Sequence, residues 1–207
     1  MVAAILLAAG RSRRMGAFKP LLPFPRERTV AEACIENLRG AGVGEIVVVV
    51  GHRAAEMRER LAHLGVRFAT NAEAESEMGV SIARGVELVS DEADAVLVAL
   101  VDTPAVAPES IRKVIEARRR ERARLVVPTF AGRGGHPVLV GLEFREALLH
   151  LDAEKGLRAL FEAHAGEVLR LEVASPYIAR DMDTWEDYRA LYAEIFGYPP
   201  TLEPTHE

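Results

Sequence analysis

The chain has 207 residues, 49% of them hydrophobic with few aromatics, and 26 Lys and Arg stand against 31 Asp and Glu for a formal net charge of -5. That composition describes one globular domain with a well-filled core, and its negative balance excludes a global field drawing the surface to nucleic acid or anionic lipid. With Cys34 as the one cysteine, an intramolecular disulfide and a thiolate metal cage are excluded as well.

The first run, AAILLAA, is apolar throughout and reads as a buried strand. A helix is expected near Thr29 to Ala41, a strand at EIVVVVG, a helix near Ala54 to Leu64, a strand at VRFAT and a helix near Gly79 to Val89. The second half continues with AVLVALV, a helix near Pro108 to Glu121, RLVVPTF, HPVLV, two short helices between Leu142 and His164, EVLRLEV, and a helix from Thr184 to Phe196. Uniformly apolar runs alternating with helical patterns imply strands covered on both faces, which predicts a doubly wound α/β fold, a Rossmann-like three-layer sandwich on a mostly parallel mixed sheet. The segment TFAGRGGHP breaks both periods and is expected to form a loop near the site, with the strand after it a candidate for antiparallel pairing.

Residues 1–198 read as a single domain, and the proline-rich tail, 199–207, is expected to fray. IVVVV and AVLVALV fall far short of the roughly 20 residues that span a bilayer. The N-terminus has no basic region ahead of its apolar run and no convincing cleavage site, so the expected location is cytoplasmic, with no membrane partner.

Positive charge gathers directly after the first strand, where Gly10 is followed by Arg11, Arg13, Arg14 and Lys19. In an open α/β sheet ligands bind beyond the carboxyl ends of strands, and a glycine there lets backbone amides approach a phosphate. The loop has neither the dinucleotide fingerprint G-x-G-x-x-G nor the spacing of a P-loop, and Arg14 stands where a hydrolase elbow needs its second glycine. The alternatives are a solvated basic loop or a seat for the phosphates of a nucleoside triphosphate. A triphosphate brings magnesium, commonly held by one or two carboxylates with phosphates and water. Asp102 in LVDTP and Asp181 and Asp183 in RDMDTWEDY are the candidates, although Asp102 can also start a turn and Asp183 can also cap the last helix.

LLAAGRSRRMGAFK resembles the signature loop L-A-A-G-x-S-x-R-M-G-x-x-K of the MobA-like nucleotidyltransferases, whose members include the molybdopterin cytidylyl- and guanylyltransferases. Leu7, Ala8, Ala9, Gly10, Ser12, Arg14, Met15, Gly16 and Lys19 all fall in place. The resemblance implies a nucleotide-diphospho-sugar-transferase-like fold, with a nucleotide half over about 1–102 and an acceptor half over about 103–198. It implies that the loop wraps the triphosphate, that Arg14 and Lys19 neutralise it, that backbone near Ala8 to Gly10 approaches the base, and that Asp102 and Asp183 hold Mg2+. NAEAESEMGVSIARG is similar to the family's N-x(n)-G-M-x-x-S-L-x-x-G segment, which makes Asn71 and Ser81 base and ribose contacts, with Glu77 where glycine is usual. GRGGHPVLV, with Arg133, Gly135, His136 and Pro137, resembles the acceptor-side motif of the cytidylyltransferase branch, and Asp152, Gly156 and Arg158 loosely echo a second one.

The expected activity is transfer of CMP from CTP to Mo-molybdopterin, with a recipient molybdoenzyme as a possible partner. GTP or a sugar-phosphate acceptor, a molybdenum-cofactor carrier with little catalysis, and a hydrolase using Ser12 or Ser81 are the rivals. On its residues alone His136 can equally brace a loop. The run EARRRERARL reads as a solvated helix end, its arginines suiting the helix dipole.

Overall fold

The computed structural model describes residues 1–25, 27–73, 77–152 and 154–201. In chain order its elements are β1 (Val2–Ala8), β2 (Pro23–Phe24), β3 (Arg28–Thr29), α1 (Val30–Gly40), β4 (Glu45–Val50), α2 (Ala54–Leu61), β5 (Arg67–Thr70) and α3 (Met78–Val86). There follow β6 (Ala95–Leu100), α4 (Pro108–Glu121), β7 (Leu125–Phe130), β8 (Arg133–Gly134), β9 (Val138–Gly141), α5 (Arg145–Leu149), α6 (Leu157–Ala163), β10 (Val168–Glu172) and α7 (Trp185–Phe196).

The main sheet has the order β10-β7-β9-β6-β1-β4-β5, with β8 paired to β7. β1 pairs in parallel with β4 and β6, and β7 with β10, whereas β9 runs antiparallel to both β6 and β7. Every residue of β1 is buried because successive side chains enter opposite layers. Ala4, Leu6 and Ala8 pack with residues of α1, α2, α4 and α7, while Ala3, Ile5 and Leu7 pack with those of α3, α5 and α6. The uniform apolar runs therefore mark a sheet covered on both faces, the three-layer sandwich that the sequence predicts.

Local chemistry fixes the helix ends. Thr29 caps α1 in a capping box with Glu32, and Thr184 caps α7 in one with Asp187. Gly85 lets α3 lie directly on β1, since a Cβ there would sit 2.5 Å from Ile5 Cγ2.

Two expectations need correction. TFAGRGGHP is not an open loop, because β7 runs to Phe130 and β8 pairs back on it across a two-residue turn. Ala131 and Gly132, with φ of 49° and 78°, supply the positive dihedrals such a hairpin turn needs. The third predicted helix starts at Met78 and ends at Val86, short of Val89. Of the expected frayed tail, residues 202–207 lie outside the described residues. Among the described residues no helix is long and apolar enough to cross a membrane.

Candidate active site at the strand ends

The parallel strands β1, β4, β5 and β6 deliver their carboxyl ends to one edge of the sheet. Gly51, just past β4, is squeezed there between two backbones: a Cβ would lie 2.8 Å from Asn71 O and 2.9 Å from Ala9 O. This close approach brings the first loop beside Asn71. Leu7, Ala9, Gly10, Ser12, Lys19, Asn71, Ser81 and Asp102, all predicted from the sequence, line one cleft of about 270 Å3. A Cβ on Gly10 would meet nothing within 4 Å, so its backbone faces open space. Ala8 does not line the cleft, because alternation along β1 turns its methyl into the opposite layer. Asn71 Nδ2 donates to Ser81 Oγ at 2.9 Å, which ties the end of β5 to the first turn of α3.

The first loop closes on itself. The Lys19 amide donates to Ser12 Oγ at 3.1 Å, and the Met15 amide to Ser12 O at 3.0 Å, with Ser12 at a positive φ of 54°. That closure carries the Lys19 side chain inward to 9% exposure, where Nζ lies 3.1 Å from Asp183 Oδ1 and 3.5 Å from Asp102 Oδ2. Arg14, largely exposed, reaches Asp183 Oδ2 at 3.0 Å. The Met182 amide donates to Asp102 O at 3.0 Å, so the two carboxylate-bearing segments are fixed to each other. Asp183 is not the helix cap: Thr184 and Asp187 fill that role, leaving the Asp183 carboxylate for the site.

Burial pushes the Asp102 carboxyl above the ordinary range, Lys19 pulls it down, Asp181 and Asp183 push it up, and His136 pulls it down, with a net rise. Among the described residues Asp102 Oδ1 is buried without a hydrogen-bond partner. A group of this kind calls for an explanation, and a divalent cation supplies one. Among the described residues no set of three or more His, Cys, Asp or Glu is placed to hold a metal. Asp102 and Asp183 are the carboxylates that meet at this point, and with phosphates and water completing the shell they would suit a divalent cation.

A second cleft of about 1030 Å3 adjoins the first, Met78 lining both. Its walls include Val127, Val138, Leu157, Phe161 and Val168, and its charged groups are Lys155, Arg158 and Arg170 together with Glu77, Glu154 and Glu162. Gly135 and His136 line it, whereas Arg133 stands exposed on the β8 hairpin and Pro137 is buried, so neither of these two does. Gly135 is required because a Cβ would collide with Ile178 O at 2.1 Å. The His136 amide donates to that same oxygen at 2.7 Å, and ring Nδ1 lies 3.2 Å from Val98 O. Burial lowers the pKa of His136, although Val98 O, Asp102 and Asp181 all act to raise it. A neutral ring donating from Nδ1 to Val98 O leaves Nε2 as an acceptor.

Residues 4–168 match the family described as the MobA-like NTP transferase domain. The chain belongs to this family. It is similar to nicotine blue oxidoreductase of Paenarthrobacter nicotinovorans, with 29% identity over 92% of this chain and 96% of that one. It is 32% identical over 80% of its length to the bifunctional protein GlmU of Cutibacterium acnes, of which it spans only 41%. A solved nucleotidyl transferase from Methanothermobacter superposes with a TM-score of 0.81 at 26% identity, covering 95% of this chain and 98% of that one. The manganese complex of Rv0371C from Mycobacterium tuberculosis has a TM-score of 0.75 at 28% identity, covering 92% and 97%. Family and neighbours confirm the nucleotide-diphospho-sugar-transferase-like architecture.

Several lining residues of this MobA-like chain escape a motif reading. Arg170 sits mid-strand in VLRLE, and its alternation with Leu169 and Leu171, which join the opposite layer, is the signal that it faces the large cleft. Glu77 is extended at the start of α3 and also lines that cleft, while the residues just before it, 74–76, lie outside the described residues. Asp152 Oδ1 accepts from the Glu154 and Lys155 amides, which shapes the turn into α6 and leaves Gly156 and Arg158 in the lining. His52 packs on Phe18 beside the first loop, in a hollow shared with Arg11, Arg13 and Arg53. Glu116 and Arg120 pair within α4, in keeping with a solvated helix end.

Proposed function

We propose that the protein transfers CMP from CTP to Mo-molybdopterin with Mg2+, releasing pyrophosphate. The observation that carries this reading is the convergence of Lys19, Asp102 and Asp183 at the mouth of a cleft lined by Gly10, Asn71 and Ser81. In this account a terminal phosphate oxygen of the acceptor attacks the α-phosphorus in line. The bond between the α-phosphorus and its β-bridging oxygen breaks, and pyrophosphate leaves with that electron pair. A bound Mg2+ supplies charge neutralisation on the phosphates. Arg14 and Lys19 take the remaining negative charge, and the backbone at Ala9 and Gly10 with Asn71 and Ser81 orients the nucleoside. The larger cleft has an apolar wall and both basic and acidic groups, with Arg158 paired to Glu162 and Arg170 in the lining, and this mixed surface suits an extended acceptor; His136, which lines it, acts electrostatically on Asp102. A phosphate acceptor is already ionised near neutrality, so alignment can replace a protein nucleophile.

Neither serine supports the hydrolase rival. Ser12 Oγ accepts from the Lys19 amide and Ser81 Oγ from Asn71, and among the described residues neither hydroxyl is hydrogen-bonded to a histidine that could act as its base. A second reading, an oxidoreductase, is favoured by one observation, the likeness to a protein of that name along nearly the whole chain.

The test incubates the protein with Mg2+, Mo-molybdopterin and each of CTP, GTP, ATP and UTP, and measures pyrophosphate. Release with CTP supports the proposal, and release with GTP alone moves it to the guanylyl branch. No release with any donor, together with consumption of a reduced nicotinamide, replaces it with the second reading.

A further inference from the structure

The charged side chains of the nucleotide site pair with one another, Asp102 through Oδ2 alone. Lys19 Nζ stands between Asp183 Oδ1 and Asp102 Oδ2 at 3.1 and 3.5 Å, and Arg14 holds the other oxygen of Asp183 at 3.0 Å. The Lys19 ammonium therefore already pairs with both carboxylates that would hold a metal. A divalent cation arriving alone must expel it, and a buried ammonium left without an anion is costly. A triphosphate removes that difficulty, because its oxygens can receive both Lys19 and Arg14 while the carboxylates turn to the metal.

We propose that Lys19 is the resident counter-ion of the metal site, so that the divalent cation enters with the triphosphate and not before it. The proposal rests on the nucleotidyltransferase reading above. Two features make the exchange local. The Lys19 backbone is pinned through Ser12 Oγ and begins a short turn with Pro20, so only the side chain has to move. Asp102 Oδ1, which has no partner among the described residues, can accept a metal without breaking a hydrogen bond there. Metal and triphosphate then raise each other's affinity by one common factor.

The probe is Mn2+, its free fraction followed by electron paramagnetic resonance with the full chain, with and without the non-hydrolysable α,β-methylene analogue of CTP. In the wild-type protein Mn2+ binds weakly alone and more tightly in the ternary complex. In Lys19→Gln and Lys19→Met, Mn2+ alone binds about tenfold more tightly, within the roughly 5- to 150-fold span of typical couplings. An unchanged or weaker Mn2+ affinity in variants that still melt cooperatively overturns the proposal.

A second readout uses no variant. Lys19, Lys113 and Lys155 are the lysines of the chain, so the Lys19 side-chain NMR signal is readily assigned in lysine-labelled protein. It should move with Mg2+ plus the analogue and stay with Mg2+ alone, and an equal shift with Mg2+ alone overturns the proposal. Wild-type protein that binds no analogue under any condition removes the nucleotidyltransferase reading and this inference together. Analogue binding with no gain in the variants and an equal Mg2+ shift removes this inference only.

Discussion

Asp102→Asn separates the functional demand on the site from the structural one. The substitution keeps the shape of the side chain and removes its charge. Lys19 loses the partner at 3.5 Å but keeps Asp183 at 3.1 Å, so its ammonium is not stranded. Oδ1 has no partner among the described residues, and the bond from the Met182 amide goes to the backbone oxygen, which the substitution leaves in place. The carboxylate is also disfavoured by burial, and a neutral amide escapes that cost. These effects oppose each other, so stability should change by no more than about 1 kcal/mol, or roughly 2–4 °C in Tm for a chain of this size. Turnover should fall far more, by about 10^2- to 10^3-fold, the usual loss when one preorganised electrostatic group is removed. The assays are pyrophosphate release at saturating CTP and Mg2+ and calorimetric melting of the same preparation. Turnover within threefold of wild type refutes the metal assignment. A Tm lowered by 10 °C or so would make Asp102 a structural residue.

Lys19→Ala should weaken CTP binding while leaving cytidine binding nearly unchanged in calorimetry, and equal losses for both would contradict a phosphate contact. Glu32→Gln should cost about 1 kcal/mol near neutral pH, because Glu32 Oε2 accepts from the Thr29 amide and from Arg60 at 2.9 Å. Burial pushes the Glu32 carboxyl up, but the Thr29 amide and Arg60 hold it below its ordinary 4.5. Its stabilisation is therefore full above that value and lost as pH falls through the depressed one, so melting curves of variant and wild type should converge in acid. Gly85→Ala should lower Tm by several degrees, since the new methyl lands 2.5 Å from Ile5 Cγ2 and overpacking typically costs about 1–3 kcal/mol. A melt equal to wild type would show that the contact between α3 and β1 relaxes freely.

The fold was legible because its signals are strong and local. Apolar runs such as Ile46 to Val50 and Ala95 to Val101, bounded by helical patterns, leave few alternatives to a sheet covered on both sides. The first loop was legible for a different reason, since Gly10, Ser12, Arg14 and Lys19 fall within one ten-residue stretch and a motif can hold them. Asp183 was ambiguous because both Asp183 and Thr184 suit a helix cap, and only the capping box of Thr184 with Asp187 shows that the carboxylate is spared. The large cleft was least legible. Arg170, Phe161 and Met78 come from three separate elements and become neighbours of one space only when the sheet is assembled. Arg133 illustrates the converse: it matches a motif, yet the positive φ values at Ala131 and Gly132 fold it into an exposed hairpin.

Nucleotidyl transfer moves the α-phosphoryl unit of a nucleoside triphosphate, with its nucleoside, to a phosphorylated acceptor. The deciding measurement follows CTP labelled at the α- or the γ-phosphorus with Mo-molybdopterin and Mg2+. The α-label should appear in a pterin-bound diphosphate and the γ-label in pyrophosphate, in equal amounts. Label released as free CMP, or α-label remaining in CTP throughout, would contradict it.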